Sequence, residues 1–142
     1  THIIDTSKED WLEKVLEITE GKGVDVLIDM LSGDYVNQNM EATKINGYLI
    51  NIGRLAGMSS NFDYDLHAKR RLHYIGTTGR TRSIDENVEV LRRTVEDLSK
   101  FLDSGEIKHV IHKVFKLEQA NEALNIMNEN KHFGKLVLLT AN

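Results

Sequence analysis

Cysteine and proline are both absent from the 142 residues. Without cysteine the chain forms no disulfide, no thiolate zinc site and no cysteine nucleophile. A cytoplasmic location is the expectation compatible with that composition. Without proline no stiff linker announces a second domain. At 40% hydrophobic residues, a single α/β domain over 1–142 that buries its own core is expected. No apolar run approaches the roughly 18 residues of a membrane span, so no membrane partner is expected. No signal or transit segment is expected at the start either. Net charge is −4 with a pI near 5.8, which gives no basic surface for nucleic acid. The run Lys69-Arg70-Arg71 is read accordingly as the wet face of a short helix.

Chemical motifs are missing as well. There is no G-x-G-x-x-G and no Walker loop, hence no phosphate cradle at a helix start. No serine, histidine and acid fall in a nucleophile arrangement. The six histidines do not cluster with acids at metal-ligand spacing. His109 and His112 stand three apart, but in a turn that leads into a strand, which does not suit zinc. No catalytic residue and no metal ligand is therefore assigned.

What is present begins with Gly23-Val24-Asp25-Val26-Leu27-Ile28-Asp29-Met30. This β-branched run bounded by glycines predicts a strand buried on both faces of a sheet. Gly47-Tyr48-Leu49-Ile50-Asn51-Ile52-Gly53 repeats the pattern, and Asp34 to Lys44 between them suits a helix. Strand, helix, strand is a βαβ unit with parallel strands. The strands then end together at Leu31-Ser32-Gly33 and Gly53-Arg54-Leu55, the edge where open α/β sheets hold ligands.

Thr1 to Asp5 reads as a further strand, and a chain that begins inside a strand is expected to be cut from something longer. Ser7 to Asp10 has the form of a capping box, opening a helix with Leu12, Val15, Leu16 and Thr19 on one stripe. Arg54 to Asn61 is a small-residue loop suited to cover a ligand. Asp63 to Arg71 predicts a short helix, and Leu72 to Thr78 a strand ending at Gly79. Ser83-Ile84-Asp85-Glu86 is a second capping box. It opens the longest helix, whose stripe Ile84, Val88, Leu91, Val95, Leu98 and Leu102 is expected to be buried. Val110 to Phe115 predicts a partly exposed strand, Leu117 to Met127 a helix, and Lys135 to Leu139 a last strand.

Three strand-end loops thus share one topological position. Gly33, Gly53 and Gly79 allow close backbone approach, Ser32, Thr77 and Thr78 offer hydroxyls, and Arg80 and Arg82 suit a phosphate or carboxylate. Asp29 ends its strand where it can meet a ligand hydroxyl, whereas Asp25 begins it in water.

These segments, followed by Leu117-Glu118-Gln119-Ala120-Asn121-Glu122-Ala123 and Gly134-Lys135-Leu136-Val137-Leu138, occur in an order that resembles the C-terminal part of a medium-chain dehydrogenase/reductase. The branch it resembles is that of the zeta-crystallin-like quinone oxidoreductases. The resemblance implies a partial Rossmann-like parallel sheet, the C-terminal part of a cofactor domain, plus a C-terminal helix and strand. His2 to Asp5 would be the third of six strands, and the two openers the fourth and fifth. It also implies NADP(H), hydride transfer to a small-molecule quinone or enone, homo-oligomers and no catalytic zinc. Cofactor contacts carried over are Ser32 and Gly33; Gly53, Arg54, Leu55, Ala56, Gly57 and Met58; Thr77, Thr78 and Gly79; and His132. The glycine-rich turn and the substrate domain have no counterpart, so the chain alone is expected to be inactive or nearly so. Val110 to Phe115 and the final strand would leave edges unpaired or paired with another chain. Rival readings are an enal or enoyl-thioester reductase of the same superfamily, and a non-catalytic self-associating module.

Overall fold

The computed structural model describes residues 1–140, which form two compact units, Thr1–Arg82 and a second beginning at Ser83. In the first unit α1 (Trp11–Ile18) leads to β1 (Val24–Asp29), a single 3-10 turn, α2 (Val36–Ala42), β2 (Thr43–Asn51), α3 (Tyr64–Arg70) and β3 (His73–Gly76). The three strands are parallel in the order β1-β2-β3, as the βαβ reading requires.

The local reasons are legible. Asp10 caps α1, its carboxylate accepting from Leu12 N at 2.9 Å and Glu13 N at 3.0 Å. The box expected at Ser7 is not the cap, because Ser7 Oγ donates to Asp5 Oδ1 at 2.6 Å and Glu9 accepts from Asp5 N. An aspartate at the helix start satisfies two orphan amides and sits at the positive end of the dipole. Gly23 has φ +82, and a Cβ there would lie 2.6 Å from Ala42 O, so the entry to β1 needs glycine. β2 starts at Thr43, directly after α2, rather than at Gly47. Val24 pairs with Thr43 and Val26 with Tyr48, a bulge taking up the residues between. Thr43 Oγ1 meanwhile donates to Asn39 O at 2.7 Å, and Arg70 donates to Thr43 O.

The core of this unit is Met40, Leu49 and Leu72, with Leu27, Phe62 and Leu66 packed against it. Leu27 and Leu49 are register partners and share the face covered by the helices. Their neighbours Val26 (50% exposed) and Ile28 (63%) face the other way. β1 was expected to be covered on both faces; it is covered on one, because the helices α2 and α3 both pack from the Leu27 side. Thr1 to Asp5 is likewise not a strand, and Ile3 is 94% exposed. An extended segment without a ladder partner satisfies no backbone groups.

In the second unit α4 (Ile84–Asp103) precedes β4 (Ile111–Lys116), a 3-10 turn, α5 (Ala120–Asn128) and β5 (Lys135–Leu139). The capping box at Ser83 forms as expected: Ser83 Oγ accepts from Glu86 N and the Glu86 carboxylate from Ser83 N. β4 and β5 pair with each other in parallel, so each leaves one edge open rather than two. Phe115 and Ala123 are buried here. The apolar stripe of α4 is not buried: Ile84, Val88, Leu91 and Val95 are each about 60% exposed or more. Helical periodicity shows which face seeks cover but does not supply the cover.

Leu49→Ala is therefore expected to cost about 2–5 kcal/mol in urea unfolding, and Leu91→Ala less than about 1 kcal/mol. A large loss at Leu91 would mean that its face is buried in solution.

Candidate functional site

The carboxyl ends of β1, β2 and β3 carry the expected loops, and a single buried acid organises the first two. Asp29 is 3% exposed. Its Oδ1 accepts from Leu31 N at 2.8 Å and Ser32 N at 2.9 Å, and Oδ2 from Asn51 Nδ2 at 3.3 Å. A carboxylate taken out of water needs such donors. Two amides of its own loop and one side chain of β2 thus engage its oxygens.

Around that acid the backbone is held tightly. Ser32 has φ 57 and ψ −145, a conformation that costs a non-glycine residue on the order of 1–3 kcal/mol. Ser32 Oγ donates to Gly53 O at 2.8 Å, and Asn51 Nδ2 donates to both Ser32 Oγ and Gly53 O. Leu55 N and Ala56 N donate to the carbonyls of Met30 and Leu31. Ser32 also bridges Gly57. A Cβ on Gly53 would sit 2.4 Å from Met30 O, and one on Gly33 2.8 Å from Ala56 O. These two glycines were expected to admit a ligand. Both are packed against the neighbouring loop, so a larger side chain at Gly53 disturbs the fold as well as the cavity it lines.

Two cavities open beside the paired loops. The smaller, about 170 Å³, is lined by Ser32, Gly33, Asn51, Arg54, Met58 and Tyr74 among others. The larger, about 550 Å³, is lined by Ile52, Gly53, Arg54, Leu55, Met58, Thr77, Thr78, Gly79 and Arg80. Ala56 and Gly57 line neither and serve the loop pairing. Unlike Gly33 and Gly53, Gly79 faces open space, with nothing within 4 Å of an added Cβ. His132 belongs to the second unit, where its ring lies edge-on to that of His112 at 6.4 Å and its Nδ1 is buried without a hydrogen-bond partner. A third cavity of about 440 Å³ lies along β1, between Trp11 and Tyr35.

Asn51 and Tyr74 were not singled out from sequence, although Asn51 ends β2 and Tyr74 lies within β3. Burial pushes the Tyr74 phenol above its ordinary value, the Asp29 carboxylate adds to this, and the Arg54 guanidinium opposes it. Tyr74 therefore stays a neutral donor throughout the neutral range. Asp25, at the far end of β1, is held below the usual carboxylate range by Lys44, which hydrogen-bonds to it. Among the described residues no group of three or more His, Cys, Asp or Glu is placed to hold a metal ion.

A family model described as zinc-binding dehydrogenase matches residues 1–138. A curated quinone oxidoreductase-like protein 2 homolog of Nematostella vectensis is 27% identical over 141 residues, covering 99% of this chain and 38% of its own length. An NAD-dependent alcohol dehydrogenase of Sulfolobus acidocaldarius is 33% identical over 94% of this chain and 36% of its own. The chain thus spans under two fifths of the length of these relatives. The crystal structure of a Pseudomonas syringae quinone oxidoreductase superposes with a TM-score of 0.78, at 24% identity over 96% of this chain and 42% of that one. This last likeness bears on the fold and confirms the Rossmann-like α/β reading.

The Tyr74 environment gives a pH prediction. The folded protein favours the protonated phenol, so its contribution to stability is present below pH 10 and is lost as pH rises through the folded value. Subtracting a Tyr74→Phe ultraviolet titration from that of the wild type is expected to leave a phenolate transition above 10. Arg54→Gln is expected to move it further up. A transition at or below 10 would mean that the ring is open to water.

Proposed function

The chain belongs to the zinc-binding dehydrogenase family, within the medium-chain dehydrogenase/reductase superfamily, and from that premise we propose that it is the cofactor-side part of an NADP(H)-dependent oxidoreductase that passes hydride to a quinone or an activated alkene. The observation that carries this reading is the pair of cavities at the carboxyl edge of parallel β2 and β3, sharing Arg54 and Met58. Open parallel sheets hold nucleotides at that edge.

The residues present fit such a ligand. Gly79 leaves one wall of the larger cavity open, Thr77 and Thr78 line it with hydroxyls, and Ile52, Leu55 and Met58 supply apolar surface. Ser32 and Gly33 line the smaller cavity, Gly53 and Leu55 the larger, and Arg54 and Met58 both, with Ala56 and Gly57 holding the loop in place. When bound, the nicotinamide ring supplies the hydride. The task of the chain is to position that ring and to keep water from it. The rigid Ser32–Gly53–Asn51 contacts suit positioning, and Leu55 (79% exposed) and Met58 (86%) suit closure over a ligand. The family's descriptive name refers to zinc, for which the described residues offer no group of three or more His, Cys, Asp or Glu.

Turnover needs a second wall over the cavity, so the isolated 142 residues bind without reducing a quinone, or nearly so. In an NADPH titration the amides of Ser32, Gly53 and Thr78 are expected to shift together, with little quinone reduction. Absence of shifts at saturating cofactor would overturn the cofactor-side reading.

Self-association belongs to the same proposal, because the α4 stripe and the open edges of β4 and β5 leave apolar surface in water. Light scattering is expected to give at least a dimer, and a strict monomer would remove this element.

A further inference from the structure

Building on the cofactor-side reading, we propose that the larger cavity is an oxyanion site in which Arg54 and Arg80 together hold a carboxylate or phosphate group. The two arginines line one cavity of about 550 Å³ from different loops, Arg54 after β2 and Arg80 after β3. No carboxylate lines this cavity or the smaller one that shares Arg54. Among the described residues neither arginine takes part in an ion pair, whereas Arg92 and Arg93 are paired with Glu89 and Glu96. The chain has 22 acids to 18 lysines and arginines, so two arginines facing one cavity without an acid make an unusual local charge.

Two cations bordering one concave space raise its potential, and an oxyanion relieves that repulsion while accepting from both guanidinium forks. Thr78 adds a hydroxyl whose oxygen already accepts from Arg80 N at 3.2 Å, which leaves its hydrogen free to donate. Ile52, Leu55 and Met58 give the same cavity an apolar lining. A ligand with one acid group on an apolar body matches both halves. That describes an electron-poor acceptor bearing a carboxylate; the phosphate of a nucleotide cofactor presents the same chemistry.

The test is a low-salt titration of the chain with inorganic phosphate and with succinate, read from the amides of Gly53, Thr78 and Gly79 and the arginine Nε–H signals. Saturable shifts are expected with both anions. Arg54→Gln with Arg80→Gln should lower the affinity about tenfold or more. Lys8→Gln with Lys22→Gln, which removes two cations paired elsewhere, should leave it nearly unchanged. Both arginines are exposed, and circular dichroism checks that the double variant stays folded. Repeating the titration with NADPH present assigns the source: succinate that still binds marks a substrate group, and anions displaced by NADPH mark a cofactor phosphate. No saturable binding, or binding that survives the double arginine variant, overturns the proposal. NADPH shifts without anion shifts would do so while leaving the cofactor reading intact. Anion binding through the arginines without NADPH shifts would leave the oxyanion site and overturn the cofactor reading.

Discussion

A carboxylate at the end of a strand, shut away from water, has to find donors within the chain, and Asp29 finds them in its own loop and on the neighbouring strand. Its own loop supplies the amides of Leu31 and Ser32, and the next strand supplies the Asn51 side chain. Burying a charge is costly unless it is hydrogen-bonded. The ion therefore fixes where both loops run. Ser32 is held in a conformation few non-glycine residues adopt, with its hydroxyl on Gly53 O, and the Gly53 to Gly57 segment follows it residue by residue. The two cavities take their shape from that pairing. Tyr74 registers it as well, since the same Asp29 charge helps to keep its phenol protonated.

A second constraint is the one-sided cover of the first sheet. Helices α2 and α3 bury Leu27 and Leu49, and the opposite face carries Val26 and Ile28 half in water. The second unit repeats the condition, with the α4 stripe exposed along its length. The exposed apolar surface is side-chain area that gains nothing until a partner removes it from water. The chain spans under two fifths of the length of these curated relatives. The loops at the carboxyl edge keep their shape even though those faces are bare, because hydrogen bonds tie them to each other.

Much of this was legible beforehand. β-branched runs bounded by glycines, with a helix between them, pointed to the parallel β1 and β2, and the Ser83 to Glu86 box marked the start of α4 correctly. The Ser7 box failed because Asp10, three residues on, is a better cap, and Asp5 already engages Ser7 and Glu9. Thr1 to Asp5 has strand composition but no ladder partner. The strand-end residues Ser32, Gly53, Arg54, Thr77 and Thr78 were named from topology alone. Asn51 and Tyr74 were not, because nothing local separates a polar strand residue that faces solvent from one that faces a buried acid.

Sequence by itself determined the order of elements from α1 onward, the parallel pairing of β1 and β2 and the sheet edge at which their loops gather. Those follow from short-range rules: periodicity, caps and glycine positions. Tertiary structure alone decided which face of each strand is covered, that Gly33 and Gly53 make room for a neighbouring loop, and that Arg54 and Arg80 border one space. Each of these depends on residues twenty or more positions apart meeting across the sheet, and local sequence carries no record of that separation.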